Sequence, residues 1–399
     1  MSRAPSYTSE PGPGERRLAI ALQGAHAPTG PLGTFIQRGS GIDIALYNQQ
    51  EDARRATYAR NASVAGEVSL STTHGITSVK ITLEGKAKSS SGGTTRLHEE
   101  LLNISFTLWD DGNPYTCPSV LPFNFVFPES FADLESGTTL PLPPSYDSGF
   151  AIQDMRIRCV YEIFVQIVRS RWVPNKSMFM DIDYAPRTLP AQIITDTPFP
   201  FFDMVKAAPE EWHQMSAMMP SKPRSVLDPV HCNLFIPAIR VFTKRDDVPF
   251  FLQLRGTTSS MMALYGSGPS QSSEGIAHRL LHIAEHTDIA PRINVTIKRQ
   301  VNINTAAKAK MVRTYTIGTG SLRSVPPGYI PYGEDSDSLN ATDDYEGDIR
   351  FVSNLSTSSF NIRKLSVTDF VVLSIEPQKS AASHFDSLTQ AVSVRIVTG

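Results

Sequence analysis

The feature of this sequence that most constrains its fold is a repeated alternation of apolar and polar residues. After a turn at residues 74–75, for example, Val79, Ile81 and Leu83 alternate with charged or hydroxyl side chains. A strand with one face in a core shows this period of two, because successive side chains point to opposite faces. The pattern therefore predicts half-buried β-strands.

The same alternation recurs in both halves of the chain. The segments that show it are residues 64–70, 79–83, 102–109, 121–127 and 156–168, and then 231–242, 249–255, 293–303, 312–317, 363–375 and 391–397. Clusters of Pro, Gly, Asn and Asp separate them and turn the chain. Between residues 186 and 229 the alternation fades and prolines become frequent, so we expect a linker there, with one short helix at residues 210–219.

Length and pattern together predict an all-β chain of two tandem immunoglobulin-like β-sandwich domains, with a short connecting helix at most. A chain of 399 residues suits two domains. The expected division is a disordered arm at residues 1–17, a first sandwich at 18–185, a linker at 186–229, and a second sandwich at 230–399 that carries a long loop at 318–350. Barrels are the alternative architecture for such strands.

Composition excludes several classes of partner. The formal net charge of -2 gives no global attraction to nucleic acid. The three cysteines, Cys117, Cys159 and Cys232, lack the spacing of a zinc or redox motif. Residues 1–17 lack the apolar stretch of a secretory signal, and no window of the sequence approaches the roughly 20 apolar residues of a membrane span. We therefore expect a cytoplasmic protein with no transmembrane segment and no nucleic-acid partner.

The sharpest short motif is the PPxY sequence formed by Pro326, Pro327 and Tyr329. WW domains bind such segments, because a polyproline II helix presents its rings to an aromatic groove at low entropic cost. An ordinary tight turn is the alternative. A second PPxY sequence, with Pro143, Pro144 and Tyr146, is a weaker candidate for a WW ligand.

Candidate metal and catalytic residues do not form a recognisable site. His278, His282 and His286 would share one helix face, but the first and third would lie about 12 Å apart along the axis. The acidic residues at 334–348 lack the spacing of an EF-hand and predict a solvated loop. No nucleophile elbow, phosphate-binding loop or dinucleotide fingerprint is present in the sequence. We expect no catalytic residues, no metal and no cofactor, and so a protein that is not an enzyme.

The order of several short elements resembles the arrestin family, in particular the arrestin-related trafficking adaptors of fungi. The elements that carry the resemblance are residues 64–70, 76–85, 123–128, the Leu-Pro-Pro-Ser-Tyr sequence at 142–146, residues 160–165 and, more weakly, residues 359–375. The resemblance spans most of residues 40–397. It implies two β-sandwiches joined end to end, and an adaptor that binds the cytosolic tails of membrane proteins for endocytosis and trafficking.

The resemblance also implies partners and contact residues. A WW-domain ubiquitin ligase of the HECT class is the expected partner of the PPxY motif, and the protein would be recruited peripherally to the plasma membrane or endosomes. Four cations, Lys80, Lys86, Lys88 and Arg96, are candidates for contacts with phosphorylated or acidic tails. Two alternatives stay open: an arrestin-fold scaffold or sorting subunit without ligase recruitment, and a ligand-binding β-sandwich.

Overall fold

The fold is all-β, as the alternation predicts. The computed structural model describes residues 32–50, 53–91, 94–133, 137–149, 155–171, 173–191, 194, 205, 207–265, 291–304, 310–325, 340–352, 357–362, 364–378 and 381–398. Within these residues the chain forms twenty-two strands and one α-helix.

The strands follow one another closely along the chain. Those of the first half are β1 Leu32–Arg38, β2 Ile42–Gln50, β3 Ala56–Tyr58, β4 Ser63–Leu70, β5 Ile76–Ser91, β6 Thr94–Asp110, β7 Val120–Val126, β8 Ser130–Asp133, β9 Thr138–Pro141, β10 Tyr146–Asp147, β11 Arg156–Arg169 and β12 Lys176–Tyr184. Those of the second half are β13 Trp212–Met219, β14 Val230–Pro237, β15 Val241–Thr243, β16 Val248–Thr257, β17 Arg292–Asn304, β18 Lys310–Val325, β19 Asn340–Phe351, β20 Phe360–Ile362, β21 Leu365–Glu376 and β22 Leu388–Val397.

The first half is sandwich-like, because two sheets enclose one core. One sheet has the strand order β1-β2-β4-β7, and the other has the order β3-β12-β11-β5-β6, with β10 beside β11. Along β4, β7 and most of β11 every second side chain is buried. The apolar members of these buried sets join in one hydrophobic cluster. Period-two burial therefore builds the core from both sheets at once.

The second half is one large sheet that curls. Its strand order is β13-β14-β16-β19-β18-β17-β21-β22-β15, with β20 beside β21. The curl brings β13 into contact with β22, and an isolated bridge joins Ser221 to Phe385 nearby. The helix α1, Thr258–Leu264, packs on β16 and β19. Among the residues that the structure describes, no helix has the length and apolar character to cross a bilayer.

The helix predicted at residues 210–219 is wrong. Pro209–Glu211 form a single 3₁₀ turn, and Trp212–Met219 form β13. All eight residues of β13 pair with β14 in antiparallel register. Local helix propensity is a weak determinant, and pairing with a neighbouring strand overrides it here.

The long loop predicted at residues 318–350 is also wrong over most of its length. Residues 318–325 belong to β18 and residues 340–350 belong to β19, and these two strands pair from Gly318↔Phe351 to Val325↔Asp344. Acidic residues of this stretch, such as Asp344 and Glu346, therefore lie on a strand rather than on a solvated loop.

The two hydrophobic cores meet along β17 and β21. On β17, Ile297 belongs to the second core and Val301 to the first. On the neighbouring strand β21, Val371 belongs to the second core and Val367 to the first. Strands of the second half thus contribute to the core of the first half, and the change from one core to the other falls at the same level on both strands.

A buried ion pair occupies this change of core. Arg299 on β17 lies directly opposite Asp369 on β21, and their side chains are 1% and 0% exposed. The guanidinium donates two hydrogen bonds to the carboxylate, at 2.8 and 2.9 Å, and a third to the Thr357 carbonyl at 2.9 Å. Ser359 Oγ donates to the same carboxylate at 2.6 Å. The buried charges are therefore paired and well supplied with hydrogen bonds.

Breaking this pair should destabilise the protein strongly. Asp369→Asn leaves the guanidinium of Arg299 buried without its counter-charge, and we expect the free energy of unfolding to fall by about 3–5 kcal/mol in urea denaturation. Arg323→Ala is the matched control, because Arg323 is 63% exposed and contacts its carboxylates at 3.5 and 3.6 Å. That variant should lose no more than about 1 kcal/mol. Equal losses in the two variants would contradict the importance of the buried pair.

Candidate functional site

The candidate site lies on the solvent-facing side of the sheet β3-β12-β11-β5-β6, which we call the outer face. Strands β5 and β11 pair continuously from Ser90↔Arg156 to Ser78↔Val168, with no register shift between these pairs. The inward side chains of both strands fill the core, so the alternate side chains form rows across the outer face. Successive rows lie about 7 Å apart along the strands.

Three basic side chains form one of these rows. Lys88 on β5 lies directly opposite Arg158 on β11 and, on its other side, opposite His98 on β6. Residues that face each other in antiparallel strands have Cα atoms about 5 Å apart, and like charges at that separation destabilise the pairing. We call the two cations Lys88 and Arg158, together with the neighbouring imidazole of His98, the cationic row. Its charge is concentrated although the chain as a whole is nearly neutral.

One carboxylate borders the row but is already occupied. Asp147 on β10 pairs in register with Arg158, yet both of its oxygens accept hydrogen bonds from Arg156, at 3.0 and 2.6 Å. Partial burial opposes ionisation of Asp147. The hydrogen bonds from Arg156 and from the Gly149 N–H, together with the charges of Arg156 and Arg158, outweigh burial and hold the pKa of Asp147 below its ordinary value. Among the described residues, no carboxylate forms an ion pair with Lys88 or Arg158.

The four cations predicted to contact phosphate do not form one site. Lys88 belongs to the cationic row. Lys80 is exposed on the same strand, eight residues away, which corresponds to about 26 Å. Arg96 lies on β6, at a register shift between β5 and β6, two residues before His98.

Lys86 is engaged by carboxylates of the sheet itself. Its ammonium group donates to Glu84 and, at 3.0 Å, to Glu162. Partial burial lowers the pKa of Lys86, but the hydrogen bonds and charges of the two carboxylates outweigh it, and the net shift is upward. Lys86 therefore stays protonated and neutralises acidic neighbours rather than presenting a free charge to a ligand.

Sequence reasoning missed two members of the cationic row, Arg158 and His98. Arg156 and Arg158 are two residues apart, as are Lys86 and Lys88. The sequence therefore shows that each pair lies on one face of its strand. What the sequence does not show is that Arg158 and Lys88 are opposite each other, because this depends on the register of strands that are distant along the chain.

The two PPxY motifs differ in what the structure shows. Pro326, Pro327 and Tyr329 lie outside the described residues. Pro143, Pro144 and Tyr146 are buried, with Tyr146 only 5% exposed. The phenol of Tyr146 lies 3.1 Å from that of Tyr315 on β18, and its ring meets Phe360 edge-on at 5.6 Å. In this conformation Tyr146 joins the two halves and is not accessible to a WW domain.

Metal-binding clusters and cysteine thiols are the other features that could carry chemistry. The described residues contain no group of three or more His, Cys, Asp or Glu that could hold a metal ion. His278, His282 and His286 lie outside them. The three cysteines are buried and unpaired, and burial raises the pKa of the Cys232 thiol to about 12. Cys232 is therefore protonated at neutral pH and is a poor nucleophile.

Replacing Lys88 by Glu should stabilise the fold slightly. The change converts a repulsion with Arg158 into an attraction, so we expect a gain of about 0.2–1 kcal/mol in the free energy of unfolding at low salt. The gain should shrink as salt is added. Lys80→Glu is the control, because Lys80 lies opposite Gln166 and Thr107. A loss of stability in Lys88→Glu, measured by urea denaturation, would show that the row is not repulsive.

Comparisons with known proteins add no family to this picture. Neither a scan against protein-family models nor a search of curated proteins found a match to the chain. The resemblance to the arrestin family therefore stays a prediction, and the evidence for function comes from the geometry of the outer face and from the sequence motifs.

Proposed function

We propose that this protein is a non-enzymatic, arrestin-like adaptor that binds acidic segments in the cytosolic tails of membrane proteins. The observation that carries the proposal is the cationic row. A protein that gained nothing from Lys88 would be more stable with a neutral or acidic residue opposite Arg158. Retaining two cations face to face is therefore consistent with a ligand of opposite charge.

The fold supports such a role by holding the row in place. Cys159 and Ala87, which flank Arg158 and Lys88 along their strands, are buried in the first core. The backbone beneath the row is thus fixed before a ligand arrives, which reduces the entropy lost on binding. Carboxylate or phosphate groups of a tail would accept charge-assisted hydrogen bonds from the guanidinium and the ammonium group.

A second element of the proposal is recruitment of a WW-domain ubiquitin ligase of the HECT class by Pro326, Pro327 and Tyr329. The support for it is the motif itself and its position between β18 and β19, far along the chain from the cationic row. An adaptor needs one surface for cargo and another for the machinery it recruits. In the sequence, the cationic row falls in the first half of the chain and the PPxY motif in the second.

A scaffold without ligase recruitment is the second candidate, and one observation favours it. Strand β6 is 17 residues long and forms an edge of its sheet, where the side chains of Ile104 and Phe106 are 36% and 37% exposed. An edge strand has backbone groups that can pair with another chain. The edge strand β7 of the other sheet is less suited to such pairing, because its Pro122 has no N–H to donate to an added strand.

An acidic peptide should bind the cationic row. A fluorescein-labelled peptide with six consecutive Asp residues in a Gly/Ser context is expected to bind at low salt with micromolar affinity, measured by fluorescence anisotropy. In the double variant Lys88→Glu/Arg158→Glu we expect at least tenfold weaker binding. Lys80→Glu, on the same strand, should change the affinity less than twofold. Unchanged binding by the double variant would exclude the row as the acidic-tail site.

A WW domain of a HECT ligase should bind through the first PPxY motif. We expect micromolar binding of the isolated domain to the full chain in calorimetry, and loss of binding in Tyr329→Ala. Tyr332→Ala is a matched control, because Tyr332 lies three residues further on without a Pro-Pro pair at the required spacing. Undiminished binding by Tyr329→Ala would exclude this motif as the WW ligand, and absence of binding to the unmodified chain would favour the scaffold without ligase recruitment.

A further inference from the structure

The outer face carries an exposed pair of aromatic rings at some distance from the cationic row. Phe164 on β11 and Phe179 on β12 are opposite each other, and their rings stack at 4.4 Å between centroids. Phe179 is 52% exposed, although a phenylalanine of this kind is normally buried. We call these two residues the phenylalanine platform. It offers a flat apolar surface next to hydroxyl side chains, since Thr82, which lies opposite Phe164, contacts Ser105 at 2.8 Å.

Carboxylates occupy the outer face between the platform and the cationic row. Glu162 and Glu84 share the one ammonium group of Lys86. Next to them on β12, Asp181 and Asp183 share the single guanidinium of Arg55 at 3.5 Å. We call Glu84, Glu162, Asp181 and Asp183 the acidic zone. Four carboxylates facing two cations leave this zone negative, and Asp181 is 63% exposed.

The three features are spaced at fixed intervals along β11. From Phe164 the acidic zone is reached at Glu162, two residues away, and the cationic row at Arg158, six residues away. These separations correspond to about 7 and 20 Å in a strand. An extended peptide has the same repeat, so its side chains at positions i, i+2 and i+6 share one face and match the three features.

We propose that the outer face binds an extended peptide that carries an aromatic residue, a basic residue two positions away and an acidic residue six positions away. The aromatic ring stacks on the phenylalanine platform, the basic side chain meets the acidic zone and the carboxylate meets the cationic row. The inference rests on the proposed function and gives it a sequence preference. The order can run in either chain direction, because the spacing is the same.

Charge complementarity favours a peptide over an anionic surface as the occupant. A uniformly negative surface that approached the cationic row would also approach Asp181 and Asp183, which are 63% and 40% exposed. A peptide avoids this repulsion by placing its own cation at that point. The successive apolar, acidic and basic features thus specify a ligand with a pattern, since each mismatch places a ligand charge beside a like charge of the protein.

Peptide register provides the test. Two fluorescein-labelled peptides of identical composition are compared on the full chain, one with Trp, Lys and Glu at positions i, i+2 and i+6, and one with Lys and Glu each moved by a single position. Both are made in both chain directions. A shift of one residue turns these side chains to the opposite face of an extended chain. We expect the in-register peptide to bind at least fivefold more tightly, in one direction, than the shifted peptide.

A variant of the platform separates this inference from the proposed function. Phe179→Ala changes an exposed ring and should leave the fold intact. It is expected to reduce the affinity of the in-register peptide to that of the shifted one, and to leave binding of the Asp-only peptide unchanged. Equal affinities for the two registers, or no effect of Phe179→Ala, would overturn the patterned site. Failure of the Asp-only peptide to bind the unmodified chain would instead overturn the proposed function.

Discussion

The interaction on which the arrangement of the chain depends is the buried ion pair between Arg299 and Asp369. It lies where β17 and β21 pass from one hydrophobic core to the other, at a position that a period of two assigns to the interior. An apolar pair at this point would pack as well in many registers. An arginine and an aspartate that must meet tolerate only the register in which they are opposite, because any slip leaves two charges buried and unpaired. Desolvation of the two charges costs free energy, but the pair restricts β17 and β21 to a single register.

Other polar contacts connect the buried ion pair to the first half of the chain. Thr357, whose carbonyl accepts from Arg299, donates through its own hydroxyl to the Ser145 carbonyl at 3.2 Å. Ser145 precedes Tyr146, whose phenol contacts Tyr315 on β18. The contacts that orient the buried pair therefore continue into the segment that precedes β11, the strand that carries Arg158. The position of the outer face relative to the second half is set by these hydrogen bonds as well as by apolar packing.

The alternation of apolar residues predicted the fold class and about half of the strands, because burial of one sheet face leaves a signal within each segment. It did not predict β13, where apolar and polar residues such as Met215 and Ser216 fit a helix as well as a strand, and only pairing with β14 decides. It also missed the second half of β18 and the whole of β19, since the acidic and glycine residues of those strands are typical of loops. For the site, the sequence indicated Lys88 but not its partners. Arg158 is 70 residues further along the chain, and no local pattern encodes which strands become neighbours.

The register of β5 against β11 determines which surface charges lie next to each other, and so creates the cationic row. If β11 slipped by one residue, Ile157 and Cys159 would move to solvent and Arg158 would enter the first core, at a cost far larger than the repulsion between Arg158 and Lys88. The core therefore holds Arg158 and Lys88 opposite each other although their charges repel. Core packing can hold an unfavourable surface arrangement in this way because the buried side chains contribute several times the energy of an exposed charge pair. The surface is then free to be selected for a ligand, while the interior of the same two strands is selected for stability.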